Sequence, residues 1–244
     1  MSRKNLSDSS SEIQEKSNTV KTNPQKTINL IPKNVHQEEY LEYLMDPQKV
    51  ICIATGAPGS GKTYFAMMAG IKALSEGKIS KLILCRSVQV LPDEDIGFIP
   101  GSKDEKFAEY IVNLQEFLRG YYSRKEIENM LESGKIEYAP LAYMRGRNLG
   151  GNKGGAWVVF DEAQNTDFKT LMCIVTRLTG TNIKLCITGD PSQADSPRKN
   201  GLQEFVRRIE DGGGSQYISK VEFDSADSQR HPVVKEILDI VGPF

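Results

Sequence analysis

Lys62 and Thr63 close the run GAPGSGKT (56–63), which has the spacing G-x-x-x-x-G-K-T. Glycines so spaced let backbone N–H groups turn inward around phosphates. A lysine then reaches the outer phosphates, and a threonine hydroxyl completes a Mg²⁺ shell. VVFDEAQN (158–165) sets two carboxylates, Asp161 and Glu162, side by side at the end of an apolar run. Burying two charges there is unfavourable unless something uses them. Asp161 suits the cation that Thr63 shares, and Glu162 suits orienting or deprotonating a water. A passive binder needs only the first, so the pair points to hydrolysis.

Three further runs offer single residues. TGDPSQ (188–193) supplies Gln193, placed to donate to a γ-phosphate and report its loss. DSADSQRHP (224–232) supplies Arg230, a candidate cation for the charge of phosphoryl transfer. NVHQEEY (34–40) supplies Gln37, whose amide matches the edge of adenine, and Tyr40, which is able to stack on it. Spacing alone leaves that last pair open.

Elements must bring these residues together. VICIAT (50–55), KLILCR (81–86), AWVVFDE (156–162), NIKLCITGD (182–190) and QYISKVEFD (216–224) read as strands. The first is a continuous, mostly apolar run rich in β-branched residues, as in a parallel sheet covered on both faces. Helical patterns fall at 34–45, between Thr63 and Gly77, and at 104–119, 123–132, 167–179, 201–210 and 231–242. Residues 87–155 are otherwise irregular and include the Gly-rich basic stretch RGRNLGGNKGG. Alternating strands and helices predict an α/β fold, and ligands of such sheets sit at the carboxyl ends of the strands.

The composition adds bounds. A net charge of −1 over 244 residues gives no global attraction to nucleic acid, so any such site is a local patch. The four cysteines, Cys52, Cys85, Cys173 and Cys186, lack metal-ligand spacing and read as reduced core thiols of a cytoplasmic protein. No signal peptide or membrane-length apolar run is present. Residues 1–25 are Ser-, Lys- and Glu-rich and read as a disordered tail, with one domain expected over 26–244.

In order and spacing, GAPGSGKT, GFIPG (97–101), RGR (145–147), VVFDEAQN, TGDPSQ and SQRHP resemble the PhoH family, which is similar to the ATPase core of superfamily 1 helicases. The resemblance spans about residues 28 to 242. It implies a single RecA-like P-loop NTPase domain with a mostly parallel sheet flanked by helices. It also implies ATP and Mg²⁺ as ligands, and it raises Gln37 as an adenine reader. The nucleotide contacts expected are then Gln37, Gly56, Ala57, Pro58, Gly59, Ser60, Gly61, Lys62, Thr63 and Tyr64. Thr63 and Asp161 are the expected metal ligands, and Lys62, Glu162, Gln193 and Arg230 the expected catalytic set. One departure is Arg86-Ser87-Val88, where the family usually has a proline after the arginine; it puts polynucleotide contact in doubt.

Helicases of that kind close the site with an arginine finger from a second RecA-like domain. The sequence ending at Phe244 leaves no length for one, so the expectation is a finger supplied by a neighbouring subunit. The resemblance points the same way, to a ring hexamer with ATP sites at subunit boundaries. Arg145 and Arg147 are candidates in trans, with Arg198 and Arg207 behind them. The same Arg145 and Arg147, with Lys153 and Tyr143, suit contact with RNA or single-stranded DNA instead. The leading expectation is an ATPase acting on RNA or single-stranded DNA. The alternatives are an ATP-gated assembly or adaptor protein and, less favoured by the DEAQ run, a small-molecule kinase.

Overall fold

Apolar runs bounded by glycine are stable as strands only between two covering layers. The computed structural model describes residues 27–86, 108–141, 144, 146–150, 154–195 and 200–241. Its strands are β1 (Ile51–Gly56), β2 (Lys81–Arg86), β3 (Ile136–Pro140), β4 (Ala156–Asp161), β5 (Ile183–Gly189) and β6 (Ile218–Phe223). They form one sheet in the order β3-β2-β4-β5-β1-β6, parallel at every pairing. The expected α/β architecture is present, with a sheet that is parallel throughout.

The helices are α1 (Val35–Met45), α2 (Lys62–Ser75), α3 (Ala108–Arg119), α4 (Arg124–Glu132), α5 (Phe168–Val175), α6 (Gly201–Asp211) and α7 (Pro232–Val241). Their starts are written in side chains. Asn34 accepts from Gln37 N–H, Asp167 from Thr170 N–H, and Asn200 from Gln203 N–H; Ser123 and Glu126 form a reciprocal capping box. One sheet face packs Cys52, Ala54, Leu82 and Trp157 against α2 residues such as Phe65 and Met68, with α1, α3 and α4 in the same layer. The other packs Ile51, Ile53, Val158 and Leu185 against α5 and α6 through Leu171, Ile174, Leu202 and Phe205. Alternate residues of β1 thus serve opposite layers, as strand pleating requires.

Two details differ from the sequence expectation. IEYAP forms an edge strand, β3, within the stretch read as irregular. It is short, carries a glutamate and ends in proline, so its strand pattern is weak, and pairing with β2 supplies what its sequence does not. The helix expected over 167–179 stops at Val175: the Thr176 hydroxyl turns back to the Met172 carbonyl, and the Arg177 carbonyl accepts from Leu149 N–H. The expected tail, GFIPG, Tyr143, Arg145, Lys153 and Arg198 lie outside the described residues. Cys52, Cys85 and Cys186 are buried free thiols, with Cys173 half-buried. Among the described residues no helix is long and apolar enough to cross a membrane.

β5 carries a buried lysine. Lys184 Nζ donates to the carbonyls of Tyr43, Leu44 and Asp46 at 3.1, 2.9 and 2.6 Å, and it sits over the Trp157 ring. A helix C-terminus leaves such carbonyls without intrahelical partners, so the ammonium closes α1 and docks it on the sheet. Replacing Lys184 with methionine keeps the volume and leaves those carbonyls orphaned. Urea unfolding of Lys184→Met is expected to show a loss of about 1.5–3 kcal/mol.

Candidate nucleotide site

The parallel sheet sends β1, β4, β5 and β6 to a common edge, where their following loops meet. The loop after β1 wraps the start of α2. Gly56 has φ 108°, and a Cβ there would lie 1.8 Å from the Phe223 carbonyl oxygen, so β6 fits against it only because it is glycine. The loop is braced from the β6–α7 connection: Gln229 N–H donates to the Gly59 carbonyl at 2.9 Å and Ser228 Oγ to the Pro58 carbonyl at 3.2 Å. The Arg230 side chain lies over Gly59.

A cleft of about 570 Å³ opens at this edge, lined by Gln37, Pro58, Gly59, Gly61, Lys62, Thr63, Tyr64, Asp161, Glu162, Gln193 and Arg230 among others. The structure therefore brings together every expected catalytic residue and both expected metal ligands. Lys62 is 9% exposed, with Nζ 2.7 Å from the Gly56 and Ala57 carbonyls. Burial holds its pKa below the ordinary lysine value, against the opposing pull of Asp190, Asp161 and Glu162. A polyanion in the cleft gives that ammonium a better partner than two carbonyls.

Thr63 Oγ1 and Thr188 Oγ1 each donate to Asp161 Oδ1 at 2.7 Å. A hydroxyl and a carboxylate oxygen in contact are the hard donors that Mg²⁺ takes, with water and phosphate oxygens completing its shell, so Thr63 and Asp161 fit this ion. Glu162 follows with φ 54° and ψ 41°, the sole non-glycine positive φ among the described residues. Strain of this kind gathers at functional positions. Its carboxylate accepts from Gln164 Nε2 at 2.7 Å and faces Arg86 at 3.5 Å. Gln193 ends a short turn begun by Asp190, whose side chain accepts from Ser192.

Tyr40 does not take the stacking role expected of it. Tyr40 is 0% exposed and packs edge-on against Phe223 in the core, so it is no stacking platform. Of the two aromatics that line the cleft among the described residues, Tyr64 is about half exposed and stands edge-on to the buried Phe65. Gln37 does reach the site. Its amide donates to the Ser60 carbonyl at 2.9 Å and accepts the Lys33 N–H at 2.9 Å, so it braces the phosphate loop against α1 and would exchange one of these bonds to read a base. His36, paired with Asp227 at 2.7 Å, ties the same helix to the short turn after β6, and that hydrogen bond raises its pKa.

Arg147 sits elsewhere. Its guanidinium forks onto Glu137 of β3, which also accepts from Lys81 Nζ at 2.6 Å. Glu137 is in register with Ile83, whereas the cleft lies at the Arg86–Asp161 end. Arg207 is exposed on α6 and paired with Glu204 and Asp211. Sequence reasoning assigned no role to Gln164, Thr188 or Asp190. Their signal was present, since all three stand inside runs singled out for their neighbours.

A family profile for PhoH-like proteins matches residues 29–242. The chain belongs to the PhoH-like family. A PhoH-like protein of Bacillus subtilis is 40% identical over 212 residues, covering 85% of this chain and 62% of that protein. Protein PhoH of Escherichia coli is 33% identical over 216 residues, covering 87% and 58%. The chain thus spans about three-fifths of the curated relatives it matches. A solved SWI2/SNF2 ATPase core of Sulfolobus solfataricus aligns over 84% of this chain and 47% of its own at 16% identity. Its TM-score of 0.44 is too low to add to the assignment.

The Arg147 fork and the Lys81 contact hold the Glu137 carboxyl down to about 2, against an ordinary 4.5. A depressed carboxylate pKa contributes stability that is full above 4.5 and disappears as pH falls toward 2. Urea unfolding across that range should therefore show Glu137→Gln less stable than the parent at neutral pH, with the gap closing in acid.

Proposed function

We propose that this PhoH-like protein is a Mg²⁺-dependent ATPase whose hydrolysis is coupled to binding or remodelling RNA or single-stranded DNA. The observation that carries the hydrolytic part is Glu162: a second carboxylate in the cleft, in a strained turn, beside the Asp161–Thr63 pair. A nucleotide binder without chemistry has no use for it. The bound Mg²⁺, held by Thr63 and Asp161, would neutralise charge on the β- and γ-phosphates. Lys62 leaves the loop carbonyls for the same oxygens. Glu162 takes the proton of a water whose oxygen bonds to the γ-phosphorus, while the bond from that phosphorus to the β–γ bridging oxygen breaks. ADP and inorganic phosphate result. Gln193 donates to the γ-phosphate, and Arg230, over the phosphate loop, offsets the developing charge.

The polynucleotide part draws on the order and spacing of the helicase-like motifs. An oligomer with ATP sites at its boundaries draws support from exposed apolar side chains. Ile31 and Tyr64 stand at the cleft, and Val233, Ile237 and Ile240 repeat along α7 at helical spacing, from 47% to 76% exposed. Exposed apolar side chains grouped at a cleft rim or along one helix suit interaction surfaces. A ring hexamer is the closed form we propose, with an arginine in trans, Arg145 foremost since Arg147 is engaged. The buried free thiols fit the cytoplasm.

Three measurements test this. Glu162→Gln should keep ATP–Mg²⁺ binding while turnover falls by about 10²–10⁴-fold; biological activity that survives without turnover would favour the ATP-gated adaptor instead. The mass in solution, with and without ATP–Mg²⁺, should exceed the monomer in the nucleotide-bound state. Single-stranded RNA should raise turnover, less so as salt increases.

A further inference from the structure

Gln164 lies two residues beyond Glu162 and is 2% exposed. A carboxamide buried to this degree needs partners at both ends. Its Nε2 donates to Glu162 Oε2 at 2.7 Å, and its Oε1 accepts the Asp190 N–H at 3.1 Å. These partners settle which end is which, because a carboxylate only accepts and a backbone N–H only donates. The space for it is made by Gly189, where a Cβ would stand 2.4 Å from Gln164 Oε1. The other oxygen of Glu162 has a looser neighbour, Arg86 at 3.5 Å on a partly exposed side chain. One side of the carboxylate is therefore held by a buried amide that is engaged at both ends.

We propose that Gln164 is a positioning residue for hydrolysis. It aims the Glu162 carboxylate at the attacking water and ties that aim to the end of β5. This inference rests on the ATPase reading above. A free glutamate side chain samples several rotamers, and few of them put an oxygen within reach of a water in line with the γ-phosphorus. The amide selects one. It donates to the charged oxygen and has no basic site facing it, so it leaves the proton-accepting role to Glu162. Its second bond is to the first residue of the turn that ends in Gln193. A displacement of that turn, as when a γ-phosphate arrives or leaves, is passed through the Asp190 N–H and the amide to Glu162. The base and the phosphate sensor thus move as one unit although they stand on different strands.

Two substitutions separate the bonds. Gln164→Met removes both and keeps the length of the side chain. Gln164→Glu keeps an acceptor for the Asp190 N–H and loses the donor to Glu162. In each, the affinity for a fluorescent ATP analogue with Mg²⁺ should stay at the parent value, while the single-turnover rate falls by about 10²-fold. In a Glu162→Gln background, Gln164→Met should lower the residual rate no further, since the group it positions is gone. The inference is overturned if Gln164→Met turns over at the parent rate, or if it slows the Glu162→Gln protein by the same factor as the parent. It is also overturned if nucleotide affinity falls in step with rate, or if neither variant folds, because Gln164 is then structural only. A parent protein that hydrolyses no ATP takes down the ATPase reading itself, and this inference with it.

Discussion

Asp161 Oδ1 accepts hydrogen bonds from Thr63 and Thr188, and the site is assembled on that one atom. Thr63 belongs to the first turn of α2, Asp161 ends β4, and Thr188 lies near the end of β5. Three elements far apart in the chain are thus joined at 2.7 Å contacts around a single negative charge. Lys62 stands beside it, discouraged from ionising by burial and held charged by Asp190, Asp161 and Glu162. An ensemble of buried and partly buried charges is tolerable only when each has partners. Here the partners are the functional groups themselves.

A parallel sheet makes this arrangement available. Because β1, β4, β5 and β6 run the same way, their carboxyl ends and the loops after them share one edge. The same geometry commits the sheet to two covering layers, and β1 serves both with alternate side chains. The phosphate loop is not self-supporting. Gln37 reaches it from α1, while Ser228 and Gln229 reach it from the β6–α7 connection. Lys184 in turn closes the far end of α1, so a buried cation below the sheet edge helps to set the position of a glutamine at the site.

Legibility followed the strength of local patterning. VICIA and AWVVF are apolar throughout and stand out as strands; IEYAP does not, and pairing along β2 makes it one. GAPGSGKT shows its purpose because backbone geometry and charge are both encoded within eight residues. Tyr40 illustrates the opposite. It shares a helix with Gln37 and looks available to a base, yet the side of α1 that it occupies faces Phe223 in the core. Arg147 likewise reads as a free basic residue in a glycine-rich stretch until the edge strand brings Glu137 opposite it.

The sequence alone determined the α/β class, the phosphate loop, the paired carboxylates and the candidate roles of Gln193 and Arg230, since each is carried by residue type and short spacing. Tertiary structure decided which side chains touch. It placed Tyr64 rather than Tyr40 on the cleft, engaged Arg147 with Glu137, and set Gln164 between Glu162 and Asp190. The reason is range. Periodicity and motif spacing act over a few residues, whereas hydrogen bonds such as Thr63–Asp161 close only after the strands have paired and their order has chosen which loops become neighbours.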